Sequence, residues 1–310
     1  MRERMRRGGA LVALCCAAIA CLPAAAAAQD PPFLDVTSLL PPVGAPATPE
    51  VASSCPGGEV ACVDAVIAEM TERFDALAQR CDHGAVFALS YLRTTEEYRR
   101  TVADPAFFAD PAWVNREDVA FAEIYFAAFD AYAAGRRGDT PPAWLIAFDA
   151  SRDRAVNGYG SLLLGINAHV QRDLPFVLAG LGLVAPDGTS RKDDHDRVNA
   201  FLNRVTVPLI DEIARRFDPT VDDTDVPGTT LDTFLAFQLI PAWREIAWRN
   251  AERLVVARTD ADRQAVARSI EDYAATSART IALGSAYGLL NPGGADARDA
   301  FCRAARDGGA

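Results

Sequence analysis

Residues 154 to about 183 constrain this chain most, because they are apolar on every side of a helix. Leu162, Leu163, Leu164, Ile166, Val170, Leu174, Phe176, Val177 and Leu178 leave almost no polar face. Such a helix is stable only when other helices surround it, which predicts the centre of a bundle. The rest of the chain supplies the surround. Between residues 60 and 80, Val63, Val66, Ile67, Met70, Phe74 and Leu77 recur every three or four positions, the spacing of one helical face. Further helices are expected over 83–102, 111–134, 141–151, 193–217, 230–257 and 260–283. Pro111, Pro142 and Gly135 punctuate them as prolines at helix starts and a glycine past a helix end do. No alternating strand pattern and no repeat of fixed period interrupts them. About 250 residues suffice for one sizeable core. The expectation is an all-α fold: a single multi-helix bundle of about eight helices around the central apolar helix, spanning residues 55–310.

The N-terminus reads differently. Arg2, Arg4, Arg6 and Arg7 precede an uncharged stretch from Ala10 to Leu22, and Pro23 leads into a run of alanines ending at Ala28. A basic start, a short apolar run and small residues before a cut are the signal-peptide pattern. That run is well short of the ~20 residues a membrane helix needs. A secreted protein cleaved near Ala28 is therefore expected, with a Pro- and Ala-rich extended leader over 29–54. Losing residues 1–28 removes four Arg and one Glu and moves the formal charge from −11 to −14. A surface that negative disfavours nucleic acid and anionic membranes as partners, and no later segment suits stable membrane insertion.

Three of the seven cysteines leave with the signal peptide, so Cys55, Cys62, Cys81 and Cys302 remain. An even number in an exported chain suggests two disulfides. On one helix Cys62 and Cys81 would lie ~28 Å apart, too far to bond. A milder form of the same argument disfavours Cys55–Cys81, leaving Cys55–Cys62 with Cys81–Cys302 as the expected pairing.

Polar groups on a central helix need internal partners. His169 and Asp173 are four apart, on one helical face, which suits two ligands to one metal ion or a carboxylate orienting an imidazole. His195, with Asp193, Asp194 and Asp196 beside it, is the second histidine with acidic neighbours; His83 is the third. The expected catalytic residues are His169 and Asp173, and the expected metal ligands are His169, Asp173, His195 and Asp194, around a single divalent ion. Asp218, Asp222, Asp223 and Asp225 form an acidic loop that matches no calcium-binding spacing and reads as solvated. Trp243, Arg244, Trp248 and Arg249 alternate rings and cations at helical spacing, which cation–π stacking or core packing explains. There is no Gly-x-Ser-x-Gly elbow, phosphate-binding glycine loop or dinucleotide fingerprint.

The segment Leu163-Leu164-Gly165-Ile166-Asn167-Ala168-His169, with Asp173-Leu174-Pro175 and Asp194-His195-Asp196-Arg197-Val198-Asn199, resembles a group of bacterial proteins filed as a domain of unknown function. Trp243 to Trp248 is similar to that group's C-terminal part, and the resemblance spans residues 62 to 285. It implies no activity. The His-x-x-x-Asp pair is also similar to one used by helical zinc phospholipases C and single-strand nucleases. Those need more histidines than the three present here and a mature N-terminal Trp where Gln29 is expected, so this analogy implies one metal at most. Two functions follow as expectations. One is a metal-dependent hydrolase in which bound water attacks an ester. The other is a non-catalytic binding or structural domain whose His–Asp pair is a core hydrogen-bond network, with a small-molecule or lipid ligand held between helices.

Overall fold

The structure, a computed structural model, describes residues 54–221, 231–286 and 294–308, with side chains except at 231–238 and 284–286. The expected signal peptide, nearly all of the expected leader, and Asp222, Asp223 and Asp225 lie outside the described residues. The chain is all-α: α1 (Val60–Ala78), α2 (Ala85–Thr101), α3 (Pro111–Ala133), α4 (Pro142–Arg152), α5 (Gly158–Ile166), α6 (Leu174–Leu181), α7 (Lys192–Arg216), α8 (Leu231–Val256), α9 (Asp260–Ala286) and α10 (Ala295–Gly308). Among the described residues the one β pairing is an isolated bridge between Val184 and Ser190. No helix among them is long and apolar enough to cross a membrane.

The central element starts later than expected, because Arg154 takes a left-handed conformation (φ 54°) and Asn157 caps the helix by accepting from Gly160 N at 2.9 Å. From there α5 and α6 run as one helix through a π-helical segment, Asn167–Asp173, and stop at Gly182 (φ 84°). This run touches α2, α3, α4, α8 and α9, as an all-round apolar helix must.

The π segment has a local cause. Pro175 has no N–H to give, and in a regular helix its ring would strike the carbonyl of residue 171. The chain widens by one residue instead, and the Leu174 N–H bonds the His169 carbonyl five residues back. One turn earlier, Gly165 lies against the Phe87 ring: a Cβ there would sit 2.1 Å from a ring carbon.

The apolar core forms two clusters, one containing Phe74, Phe87, Trp144, Leu164 and Ile213, the other Trp113, Leu174, Leu178, Phe201 and Trp248. Ile67, Phe121 and Ile166 pack against both. Both expected disulfides form, Cys55–Cys62 and Cys81–Cys302, each with Cα atoms 5.9 Å apart. The second joins the turn after α1 to α10, a helix the sequence pattern did not predict.

Candidate functional site

His169 is carried by the π segment and is 3% exposed. Its ring stacks face to face on Phe121 of α3, centroids 3.4 Å apart, and meets Tyr91 of α2 edge-on at 4.4 Å. Its Nδ1 lies 3.1 Å from Asp173 Oδ2, so the expected pair forms. Asp173 is fully buried and its carboxylate is fixed from two further sides. Trp144 Nε1 donates to Oδ2 at 2.8 Å and Arg172 donates to Oδ1 at 2.9 Å. Arg172 in turn bonds Glu271 of α9.

This arrangement sets the state of the histidine. Burial pushes the His169 pKa below its ordinary value, against the pull of Asp173. The neutral ring donates from Nδ1 to Asp173, which leaves Nε2 as an acceptor. Nε2 has no partner among the described residues.

His169 lines a cavity of about 140 Å³ at the seam of the two core clusters, where Phe121 and Ile166 also lie. The walls come from α2 (Phe87, Tyr91, Thr95, Tyr98), α3 (Val114, Glu117, Asp118, Phe121), α5 and the π segment, α7 (Val198, Phe201, Val205) and α8 (Ile240, Arg244). They are mostly apolar, yet Tyr91 Oη, Thr95 Oγ1, Glu117 Oε2, Asp118 Oδ2, His169 Nε2 and Arg244 Nε are all buried without a partner among the described residues. Leaving one such atom unmet costs about 1–3 kcal/mol, so a cluster of them around one cavity points to an occupant.

Glu117 and Asp118 were not foreseen as site residues. Burial holds the Glu117 carboxyl up at about 7, with Asp194 adding to the effect and Arg244 opposing it. Burial and the neighbouring Glu117 raise Asp118 well above the carboxylate range. A signal for them existed. In Val114, Glu117, Asp118, Phe121 and Tyr125 the two acids stand within the apolar stripe of α3, where a solvated acid has no place.

The other expected site residues serve different contacts. His195 is fully buried; its Nδ1 accepts from the Arg244 guanidinium at 3.1 Å and its Nε2 donates to the Arg244 carbonyl at 3.3 Å. Burial, then Arg244 and Lys192, hold its pKa well below the ordinary histidine value. It meets the cavity indirectly, through Glu117 Oε1 at 3.8 Å. Asp194 accepts from the backbone amides of Ala109 and Asp110 at 2.8 and 2.7 Å, tying the first turn of α7 to the loop before α3. Thus His169 and Asp173 stand together, while His195 and Asp194 have their ring nitrogens and carboxylate oxygens engaged elsewhere. His83 bonds Asp299 at 2.8 Å, near the Cys81–Cys302 bridge. Among the described residues, the grouping of three ligand-type side chains close enough for one metal ion is Cys55, Glu59 and Cys62, and its sulfurs are joined in a disulfide. Of the ring–cation series on α8, Trp248 is buried and donates to Glu252, and Arg249 pairs with Glu245 and Glu252.

No curated protein and no solved structure matches this chain. A family model does, over residues 63–283, which include every wall of the cavity and the whole central helix. The chain belongs to the family described as a family of unknown function, DUF5995.

Proposed function

We propose that this protein binds a small, largely apolar molecule inside the bundle, with the His169–Asp173 pair as the polar anchor. The observation that carries this reading is the held but unanswered imidazole: Asp173 fixes Nδ1, Phe121 fixes the ring, and Nε2 has no partner among the described residues. Second-sphere fixing of that kind orients a histidine toward something else. The volume of about 140 Å³ suits a benzene-sized body. A metal-dependent hydrolase at His169, Asp173, His195 and Asp194 has less support, because Asp194 and His195 already serve backbone amides and Arg244.

Toluene and benzyl alcohol test this reading by thermal shift and NMR titration. Both should bind, the alcohol more tightly because its hydroxyl donates to Nε2. His169→Phe keeps the stacked ring and should erase the alcohol's advantage, about 1 kcal/mol for one hydrogen bond. If neither compound binds, the proposal fails.

We further propose that the chain works outside the cytoplasm after removal of residues 1–28. Two disulfides support an oxidising compartment. N-terminal sequencing of protein from the culture medium should begin at Gln29; retention of Met1 would contradict export by cleavage.

A further inference from the structure

We propose that the occupant of this chamber is an amine: a benzene-sized apolar body carrying an ammonium group that meets Glu117 and Asp118. The inference rests on the chamber reading above and names the chemical class of its ligand.

Charge and hydrogen-bonding capacity both favour a cation. Glu117 is 5% exposed and Asp118 is partly exposed, and each has an oxygen without a partner among the described residues. Among the described cations, Arg244 lines the chamber, and it donates to the ring and carbonyl of His195. Lys192 is held by Asp196 and Glu245, and Arg172 by Asp173 and Glu271. Two acids and one guanidinium therefore line the chamber.

The unmet atoms lean the same way. Glu117 Oε2, Asp118 Oδ2 and neutral His169 Nε2 can accept, Tyr91 and Thr95 hydroxyls can do either, and Arg244 Nε can donate. A hydrocarbon would leave these atoms unanswered, and a carboxylate ligand would bring a negative charge beside two acids that burial already keeps from ionising. An ammonium brings up to three donors and the positive charge beside which these acids can ionise. The aromatic walls add to this, since Tyr91 and Tyr98 line a largely apolar chamber, where a cation gains most from nearby rings. Burying a carboxylate is unfavourable alone and is offset when a cation is buried beside it.

The test is calorimetric titration of the mature protein with benzylamine, toluene and benzoate, three probes of one size and three charges. Benzylamine should bind at least about tenfold more tightly than toluene, and benzoate should show no binding. In the near-isosteric double variant Glu117→Gln, Asp118→Asn the amine's advantage over toluene should drop to about twofold or less. If toluene binds wild-type protein as well as benzylamine or better, the amine assignment is overturned and the apolar chamber stands. If none of the three binds, the chamber reading is overturned and this inference with it. The wild-type comparison decides the matter even if the double variant folds poorly.

Discussion

Glu117 is a side chain whose chemistry departs from what its residue type promises. Burial raises its carboxyl from 4.5 to about 7, so the folded protein keeps a proton that the unfolded chain releases across that interval. The contribution of this group to stability therefore falls as pH rises from about 4.5 to about 7 and levels off above, a loss on the order of 3 kcal/mol. Glu117→Gln removes this dependence, so the variant should gain stability over the parent at pH about 8 and little at pH about 5. Urea melts at the two values check it; parallel behaviour of both proteins would acquit Glu117. The His169–Asp173 pair was legible in the sequence because its spacing survives the change from α to π winding. The His195–Arg244 clasp was not, since its members stand 49 residues apart and only folding brings them together. Glu117 and Asp118 escaped notice because acids on an amphipathic helix are ordinarily solvated.

Helices were the most readable elements, because each buries a stripe whose period is written in the sequence. Helix α10 is the exception: it is short, its apolar side is made mostly of alanines, and only Arg298 and Cys302 of it are buried. Its place is set by Cys302, His83–Asp299 and the bond from Arg298 to the Val156 carbonyl. The π segment was hidden for another reason. A proline in a helical pattern ordinarily ends or kinks a helix, and here buried neighbours on every side made a widened turn the better outcome. Gly165 allows a sharp test at this scale. By helix propensity alone Gly→Ala stabilises by about 1 kcal/mol. Here the added methyl meets the Phe87 ring, which must leave its edge-on packing against Tyr125 and Trp144 to admit it. Gly165→Ala should destabilise by about 1–3 kcal/mol in thermal unfolding, the reverse of the propensity expectation.

For the molecule as a whole, the cavity lies where two core clusters meet, a position no local pattern announces; only the apolar character of the central helix hinted that something would be enclosed. The Cys81–Cys302 bond closes a separation of 221 residues. Cys302→Ser should cost about 4–5 kcal/mol by the chain-entropy argument and lower the melting temperature by about 10 °C or more. Calorimetry of the variant against the oxidised parent measures it, and equal melting temperatures would show that the bridge merely decorates an already stable fold. The same bond also decides how the protein answers a mechanical pull. Tension applied between residue 54 and residue 308 runs through α1, the covalent bridge and the last residues of α10. Helices α2 to α9 lie inside the closed loop and carry no load. Stretched between these two residues, the chain can give up helix α1, but residues 82–301 bear no covalent tension until the sulfur–sulfur bond is cut.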